Sequence, residues 1–373
     1  MQFIDLNRQY KRVQETIEKG FSQVLEKNSY INGPQVRELE QRLAKFVGVG
    51  HALGCSSGTD ALVIPLMAFG LRRDDAVFVP SFTFFASAEA ITLAGGTPVF
   101  VDCDPVSFNI DPEELEEAIL QVQREGRLWP RGIISVDLFG QPASYSEIEA
   151  IAEEYDLFLL EDAAQAFGST YKGYAAGRFG DAAATSFFPA KPLGCYGDGG
   201  AIFTAIDEMA DLCNSIREHG KGIDKYDNVR IGLNGRLDTL QAVVLLAKLD
   251  IFEDEIKRRE VVAAAYEERL KDVLVTPQVL SDRTSVWAQY TLCAQDSEHR
   301  DRILEHLSAR SIPTAIYYRT PIHLSTAYAH LGYERDMLPV CELLSERVFS
   351  IPMHPYLEEK EIDMIAQAIR EVC

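Results

Sequence analysis

Between residues 50 and 205, short runs rich in Val, Ile, Ala and Phe alternate with helix-length stretches. That alternation leaves few architectures open: it calls for a sheet of largely parallel strands with helices packed on its faces. The strand runs fall at His51–Cys55, Ala76–Val79, Pro98–Val101, Gly132–Val136, Leu157–Leu160, Ala182–Phe187 and Ala201–Thr204. Between them Thr59–Phe69, Thr83–Ala94, Pro112–Gln121 and Tyr145–Tyr155 read as helices, several with Asp, Glu or Ser near the start. From Leu237 the pattern changes to one long, densely charged amphipathic helix reaching about Leu270, and from Leu274 short strands and helices alternate again. With 373 residues, against a prior of about 150 per domain, the chain divides into a large unit over 1–250 and a smaller α/β unit over 251–373. The first 30 residues or so form an N-terminal arm of the large unit. The acidic run from Leu357 to Asp363 reads as the solvated start of the last helix, where carboxylates are favoured.

Charge and cysteine usage remove several function classes. Lys plus Arg number 36 against 57 Asp plus Glu, a net charge of −21, which repels nucleic acid and anionic membrane. The longest nearly unbroken apolar stretch, Ala61 to Phe69, contains Pro65 and falls far short of the roughly 20 residues a membrane-spanning helix needs. The opening MQFIDLNRQYKR offers no continuous apolar segment of the secretory kind, so a cytoplasmic protein is expected. Seven scattered cysteines without a C-x-x-C pair point to free thiols in a reducing compartment, and the histidines show no ligand spacing, so no metal is expected.

Three local motifs carry chemistry. FLLEDAAQAFG places Glu161 and Asp162 where a strongly apolar strand ends, the position at which open parallel sheets bind ligands; the ordinary alternative is that Asp162 caps a following helix. In SFFPAKPLGCYGDGGA, Lys191 stands in a turn between Pro189 and Pro192, with glycines at 194, 197, 199 and 200. A surface lysine is the plain alternative, yet an apolar setting suits an unprotonated amine that forms a Schiff base with an aldehyde. Pyridoxal phosphate chemistry also needs a carboxylate against the pyridine nitrogen, for which Asp162 is the candidate. GCSSGTDAL (Gly54 to Leu62) sets small and hydroxyl residues directly before a helix, whose free N–H groups favour a phosphate.

On these motifs the sequence resembles the DegT/StrS family of sugar aminotransferases, from FIDLNRQY at the start through INGPQVRELEQRLAKFVGV to YYRTPIHLSTAY and FSIPMHP near the end. The resemblance implies the aspartate aminotransferase fold (pyridoxal phosphate fold type I): a large mixed, mostly parallel sheet domain with a smaller α/β C-terminal domain. It implies phosphate contacts at Ser57, Gly58, Thr59 and Ser186, and Phe84 stacked on the pyridine ring. It further implies Asp162 at the ring nitrogen, Gln165 near the ring hydroxyl, Lys191 as the Schiff-base lysine, and Asn234 of GLNGRLD reaching the phosphate of a neighbouring subunit. One branch of the family carries histidine at the lysine position and removes oxygen from the sugar. Lys191 therefore favours transamination, with its amine as the acid and base of the proton shift.

An anionic nucleotide-sugar needs local cations on a chain of this charge. Lys221, Lys225, Arg230 and Arg236 crowd the loop from His219 to Leu237, with Lys225 expected to be a solvated loop charge, and Tyr317, Arg319 and His323 lie in YYRTPIHL. Arg236, His323, Arg319 and Tyr317 are the expected substrate residues. Within the family, FFPAKPLGCYGDGGA and YYRTPIHL most resemble the enzymes that aminate UDP-2-acetamido-2-deoxy-3-oxo-glucuronate at C-3 with glutamate, for surface polysaccharide such as the lipopolysaccharide O-antigen. A C-6 carboxylate suits the Arg236 guanidinium. The alternatives are a 4-keto (dTDP- or UDP-) deoxysugar aminotransferase, a pyridoxal phosphate aldolase or eliminase, and a silent ligand-binding member, whose signature would be a missing lysine. A homodimer with active sites shared between subunits is implied.

Overall fold

The computed structural model describes residues 1–224 and 226–373; the expectation for Lys225 lies outside the described residues. Helix α1 (Leu6–Lys27) begins where Asp5 accepts the Arg8 N–H at 2.9 Å and ends at Asn28, which takes the left-handed conformation (φ 52°). The segment read as an arm is thus mostly helix, and Val13 and Ile17 pack against Val244 and Ala247. Helix α2 (Pro34–Val47) starts with proline in its first turn and stops at Gly48.

The α/β unit follows in chain order: β1 (His51–Cys55), α3 (Gly58–Ala68), β2 (Asp75–Pro80), α4 (Ala86–Leu93), β3 (Thr97–Val101), α5 (Pro112–Glu125), β4 (Trp129–Val136), α6 (Tyr145–Glu154) and β5 (Phe158–Asp162). A small hairpin, β6 (Thr170–Tyr171) and β7 (Tyr174–Ala175), precedes β8 (Ala182–Ser186), β9 (Gly200–Thr204) and α7 (Asp207–Ile216). Seven strands form one sheet in the order β1-β9-β8-β5-β4-β2-β3. The pairs from β8 through β3 are parallel, whereas β9 runs against both β1 and β8, with Ser186 opposite Gly200. The sheet is mixed and mostly parallel, as expected.

The period of two along each strand sorts side chains to opposite faces. Val77 and Val79 join Ile64, Leu66 and Ile91 of α3 and α4 on one side. Ala76 and Phe78 join Leu115, Ile119 and Ile148 of α5 and α6 on the other. Each such aliphatic or aromatic side chain contributes roughly 1.5–3 kcal/mol on burial. The helix expected at Thr83–Ala94 begins later, at Ala86, because the residues before it turn off the end of β2 into the site.

The single long helix expected from Leu237 is two helices, α8 (Thr239–Leu249) and α9 (Phe252–Leu270). Arg42 holds Asp250 at 2.7 Å, and Phe252 inserts beside Phe46 and Phe167, so local contacts override a continuous pattern. Beyond it, β10 (Tyr290–Cys293), α10 (Ser297–Ala309), α11 (Pro339–Arg347), β11 (Val348–Ile351) and α12 (Glu359–Arg370) surround a core of their own that includes Tyr266, Tyr290, Leu307, Phe349 and Ile365. The acidic run opens α12 through a capping box between Glu358 and Glu361. Residues 317–341 leave this core and lie on the large sheet: the Tyr333 hydroxyl accepts the Phe100 N–H at 3.0 Å, and Asp102 accepts the Val340 and Cys341 N–H groups, capping α11 from outside. Among the described residues no helix is long and apolar enough to cross a membrane.

Candidate active site

Because β1, β2, β4, β5 and β8 run the same way, their carboxyl ends converge at one edge of the sheet, where such folds bind ligands. Asp162 is the last residue of β5 and is buried. Its Oδ2 accepts the Ser87 hydroxyl at 2.8 Å and its Oδ1 accepts the Ala164 N–H at 3.2 Å. A single turn follows rather than a helix, so the helix-cap alternative has nothing to cap. Burial raises the pKa of this carboxyl, against the pull of Ser87, Ala164 and the Lys191 charge.

Lys191 sits in the connection between β8 and β9, its N–H bonded to the Phe188 carbonyl at 2.8 Å. Burial lowers its pKa, with Asp162 opposing. The two make no ion-pair contact, yet each feels the other's charge across the site. Lysine and carboxylate, 29 positions apart in the sequence, are thus brought to one cleft edge.

The helix-start motif meets the end of β8. A Cβ on Gly58 would stand 2.5 Å from Ser186 Cβ, and one on Gly200 would stand 2.4 Å from the Ser57 carbonyl oxygen, so glycine at both positions lets α3 approach the strand. Ser57 caps α3 by accepting the Asp60 N–H at 3.0 Å, and Ser186 Oγ accepts the Phe188 N–H at 3.3 Å. The N–H groups of Gly58 and Thr59 and the Thr59 hydroxyl have no acceptor or donor partner among the described residues. Those donors, with the positive end of the helix, suit an anion.

Phe84 is 56% exposed, which sets aside ordinary core packing, and its ring lies 6.3 Å from that of Tyr318. Gln165 is buried and fixed at both ends: its Oε1 accepts the Phe139 N–H at 3.0 Å and its Nε2 donates to the Tyr318 hydroxyl at 3.1 Å. Asn234 and Arg236 lie beside the end of β1, where the Ser56 N–H bonds to the Gly235 carbonyl at 3.1 Å and Arg236 bridges to Cys55. Arg236 donates to Asn234 Oδ1 at 2.5 Å, while its Nε is buried without a partner among the described residues. Arg319 is exposed and makes no ion pair among the described residues, and Tyr317 packs edge-on against Phe3 with centroids 6.5 Å apart.

His323 stands apart from the others. It is buried, with Nδ1 2.7 Å from Ser81 Oγ and Nε2 3.3 Å from Glu342 Oε1, and burial lowers its pKa. Both ring nitrogens face protein partners, so the geometry favours an internal bridge from β2 to α11 over the substrate contact expected from sequence. Of the other loop cations, Arg230 turns back to Ser215.

Sequence reading passed over Ser87 and Tyr318. Ser87 lies inside the quoted PSFTFFAS, four residues after Thr83, whose hydroxyl is 3.2 Å from its own; Tyr318 adjoins Tyr317 in YYRTPIHL. It also passed over Asp137, which together with Glu161 forms a buried acid pair behind Asp162. Asp137, held by the Tyr145 hydroxyl at 2.7 Å, is pushed up to about 7 by burial, and Glu161, which accepts the Gly177 and Phe179 N–H groups, is raised well above the usual carboxylate range by burial and the Asp137 charge.

An anion cradle, a buried carboxylate, an amine of lowered basicity and an exposed aromatic face at one edge fit the phosphate, ring nitrogen, aldehyde and ring of pyridoxal phosphate. The relatives agree. A UDP-2-acetamido-2-deoxy-3-oxo-D-glucuronate aminotransferase of Pseudomonas aeruginosa is 45% identical over 370 residues, 99% of each chain. The crystal structure of a DegT DnrJ EryC1 StrS aminotransferase from Brucella abortus is 51% identical, with a TM-score of 0.96 over 100% of this chain and 99% of that one. DesV of S. venezuelae, solved in complex with a ketimine intermediate, is 35% identical, with a TM-score of 0.93 over 99% and 97% of the chains. The DegT/DnrJ/EryC1/StrS aminotransferase family matches residues 11–370, and the chain belongs to it, as a sugar aminotransferase that uses pyridoxal phosphate.

Proposed function

We propose that the enzyme aminates C-3 of UDP-2-acetamido-2-deoxy-3-oxo-glucuronate with glutamate as donor, supplying surface polysaccharide synthesis from the cytoplasm. The observation that carries the substrate choice is the Arg236 guanidinium, whose buried Nε lacks a partner among the described residues at the margin of the site. A sugar C-6 carboxylate satisfies it bidentately, and a neutral hydroxymethyl group does not. The 45% identity to the Pseudomonas enzyme of that name supports the same reading.

In this reading Ser57, Gly58, Thr59 and Ser186 hold the cofactor phosphate, Phe84 covers the ring, Gln165 meets the ring hydroxyl, and Asn234 adds a contact from the neighbouring subunit. When bound, pyridoxal phosphate supplies an aldehyde carbon for the amine and a ring that accepts electrons. Asp162, its carboxylate oriented by Ser87 and Ala164, keeps a proton on the ring nitrogen. Lys191 Nζ, unprotonated at lower pH than a solvated lysine because it is buried, would move the proton between the substrate carbon bearing nitrogen and the cofactor carbon on the other side of that nitrogen. Arg236, Arg319 and Tyr317 orient the sugar, and His323 holds the wall they stand on.

The enzyme acts as a homodimer. Ile223 and Ile231, 101% and 84% exposed, crowd the loop that leads into Asn234, an apolar surface that a second copy would cover. The chain divides near residue 250, in keeping with the separate apolar core beyond it. The test is spectroscopic. Glutamate alone should convert the cofactor to its amine form, after which UDP-3-keto-uronate should restore the starting spectrum faster than a 4-keto deoxysugar does. Preference for the 4-keto sugar would overturn the substrate assignment.

A further inference from the structure

Lys248 of α8 is wholly buried, and its Nζ donates to the Gly194 carbonyl at 2.6 Å, the one hydrogen-bond acceptor it has among the described residues. Gly194 lies three residues beyond Lys191. Its loop is folded tightly: the Cys195 N–H bonds to the Phe187 carbonyl at 2.7 Å, and a Cβ at Gly194 would come within 2.6 Å of the Phe188 and Pro189 carbonyl oxygens. From the same helix Gln241 accepts the Tyr196 N–H at 2.9 Å and donates to its carbonyl at 3.3 Å, while the Lys248 ammonium sits 4.4 Å from the Tyr196 ring centroid.

An apolar side chain would fill this part of α8 with far less desolvation than a cation requires. What the cation adds is a strong, charge-assisted grip on a carbonyl inside the lysine loop. Resting on the assignment of Lys191 above, we propose that Lys248 is a positioning residue: by gripping the Gly194 carbonyl it fixes the loop that aims Lys191 into the site. Its action is mechanical. The basicity of Lys191 is set by its own burial and by Asp162, not by Lys248.

Burial pulls Lys248 down to about 8, with Glu255 of α9 and Cys195 of the loop opposing. Tyr196, which faces it, is pushed up to about 12 and Cys195 to about 11, and Tyr10 of α1, stacked edge-on against Tyr196, is also raised. The grip therefore loses its charge assistance in mildly alkaline solution, while the thiol and phenols remain protonated.

The test is hydrogen exchange on the full-length chain, with and without pyridoxal phosphate. Lys248→Met should speed exchange of the Lys191 and Cys195 amides by about tenfold or more and leave those of Ala201–Phe203 unchanged, and Lys248→Arg should restore protection. Unchanged exchange at Lys191 and Cys195, or an equal rise in β9, overturns the proposal. If the methionine variant does not fold, the wild-type chain decides: protection of the two loop amides should fall relative to β9 as pH rises through about 8, and a flat ratio overturns the grip. Exchange does not depend on what Lys191 reacts with, so a failed lysine assignment would show in Lys191→Ala spectra and leave the exchange result standing.

Discussion

The Ser87 hydroxyl donates to Asp162 Oδ2 at 2.8 Å, and Ser87 is in turn 3.2 Å from the Thr83 hydroxyl, so the carboxylate is oriented by the segment that also carries Phe84. Burial raises the Asp162 pKa and Ser87 opposes that rise. Ser87→Ala should therefore raise it further. In the role proposed for Asp162 the ionised carboxylate is the working form, so the acid limb of the pH profile for the glutamate half-reaction should move to higher pH. An acid limb that stays in place would separate Ser87 from the ionisation of Asp162.

Lys191→Ala should abolish turnover and the visible absorbance of the lysine-bound cofactor, and Asp162→Asn should retain cofactor but cut turnover sharply. The chain should stay folded in both, because each substitution removes a buried, desolvated charge. Normal turnover by the alanine variant would displace Lys191 from its role.

Arg236→Ala should lose on the order of 2–5 kcal/mol of binding or transition-state stabilisation with a uronate substrate. With the neutral 6-hydroxy analogue the loss should be much smaller. Steady-state kcat/KM on both sugars reads the difference, and equal losses would favour a 4-keto deoxysugar.

Mixing Lys191→Ala subunits with Arg236→Ala subunits tests where Arg236 acts. If it serves the neighbouring subunit, a mixed dimer has one site with both defects and one with neither, and activity reappears. If it serves its own subunit, every site carries a defect and nothing returns. The Arg236 backbone bridges to Cys55 of its own chain, so the answer turns on the guanidinium alone.

The pair Asp137 and Glu161 makes stability pH-dependent. Asp137 is raised to about 7 in the folded chain from 3.8, so the folded state holds a proton that the unfolded state releases, and stability falls as pH rises between those values. Asp137→Asn mimics the protonated acid. It should match the wild-type melting temperature near pH 5 and exceed it near pH 8, and parallel curves for the two proteins would remove the Asp137 proton from the account.

What the sequence disclosed was local. A carboxylate at a strand end, a lysine between Pro189 and Pro192, and a small-residue helix start each announce themselves within a dozen residues, and the alternating runs dictated the sheet. What it hid depends on partners far along the chain. His323 looks available in YYRTPIHL until Ser81 and Glu342 close on it, 242 and 19 positions away. Tyr318 meets Gln165 across 153 residues, and Lys248 reaches Gly194 across 54. The break between α8 and α9 follows from Arg42 and Phe46, neither of which periodicity in the helix itself can register.

The pairing of Ser186 with Gly200 has a consequence for how the enzyme meets its cofactor. Both ends of the lysine loop are fixed by adjacent strands, about 4.8 Å apart, so the entropy of closing that loop is settled when the sheet forms. If Lys191 plays its proposed role, the incoming cofactor meets an amine already delivered and spends little of its binding energy on ordering chain. Cutting the backbone within that connection would leave the strands free to pair but move part of the loop's ordering cost into the cofactor-binding step, which makes this hairpin a place where folding and chemistry can be uncoupled with a single nick.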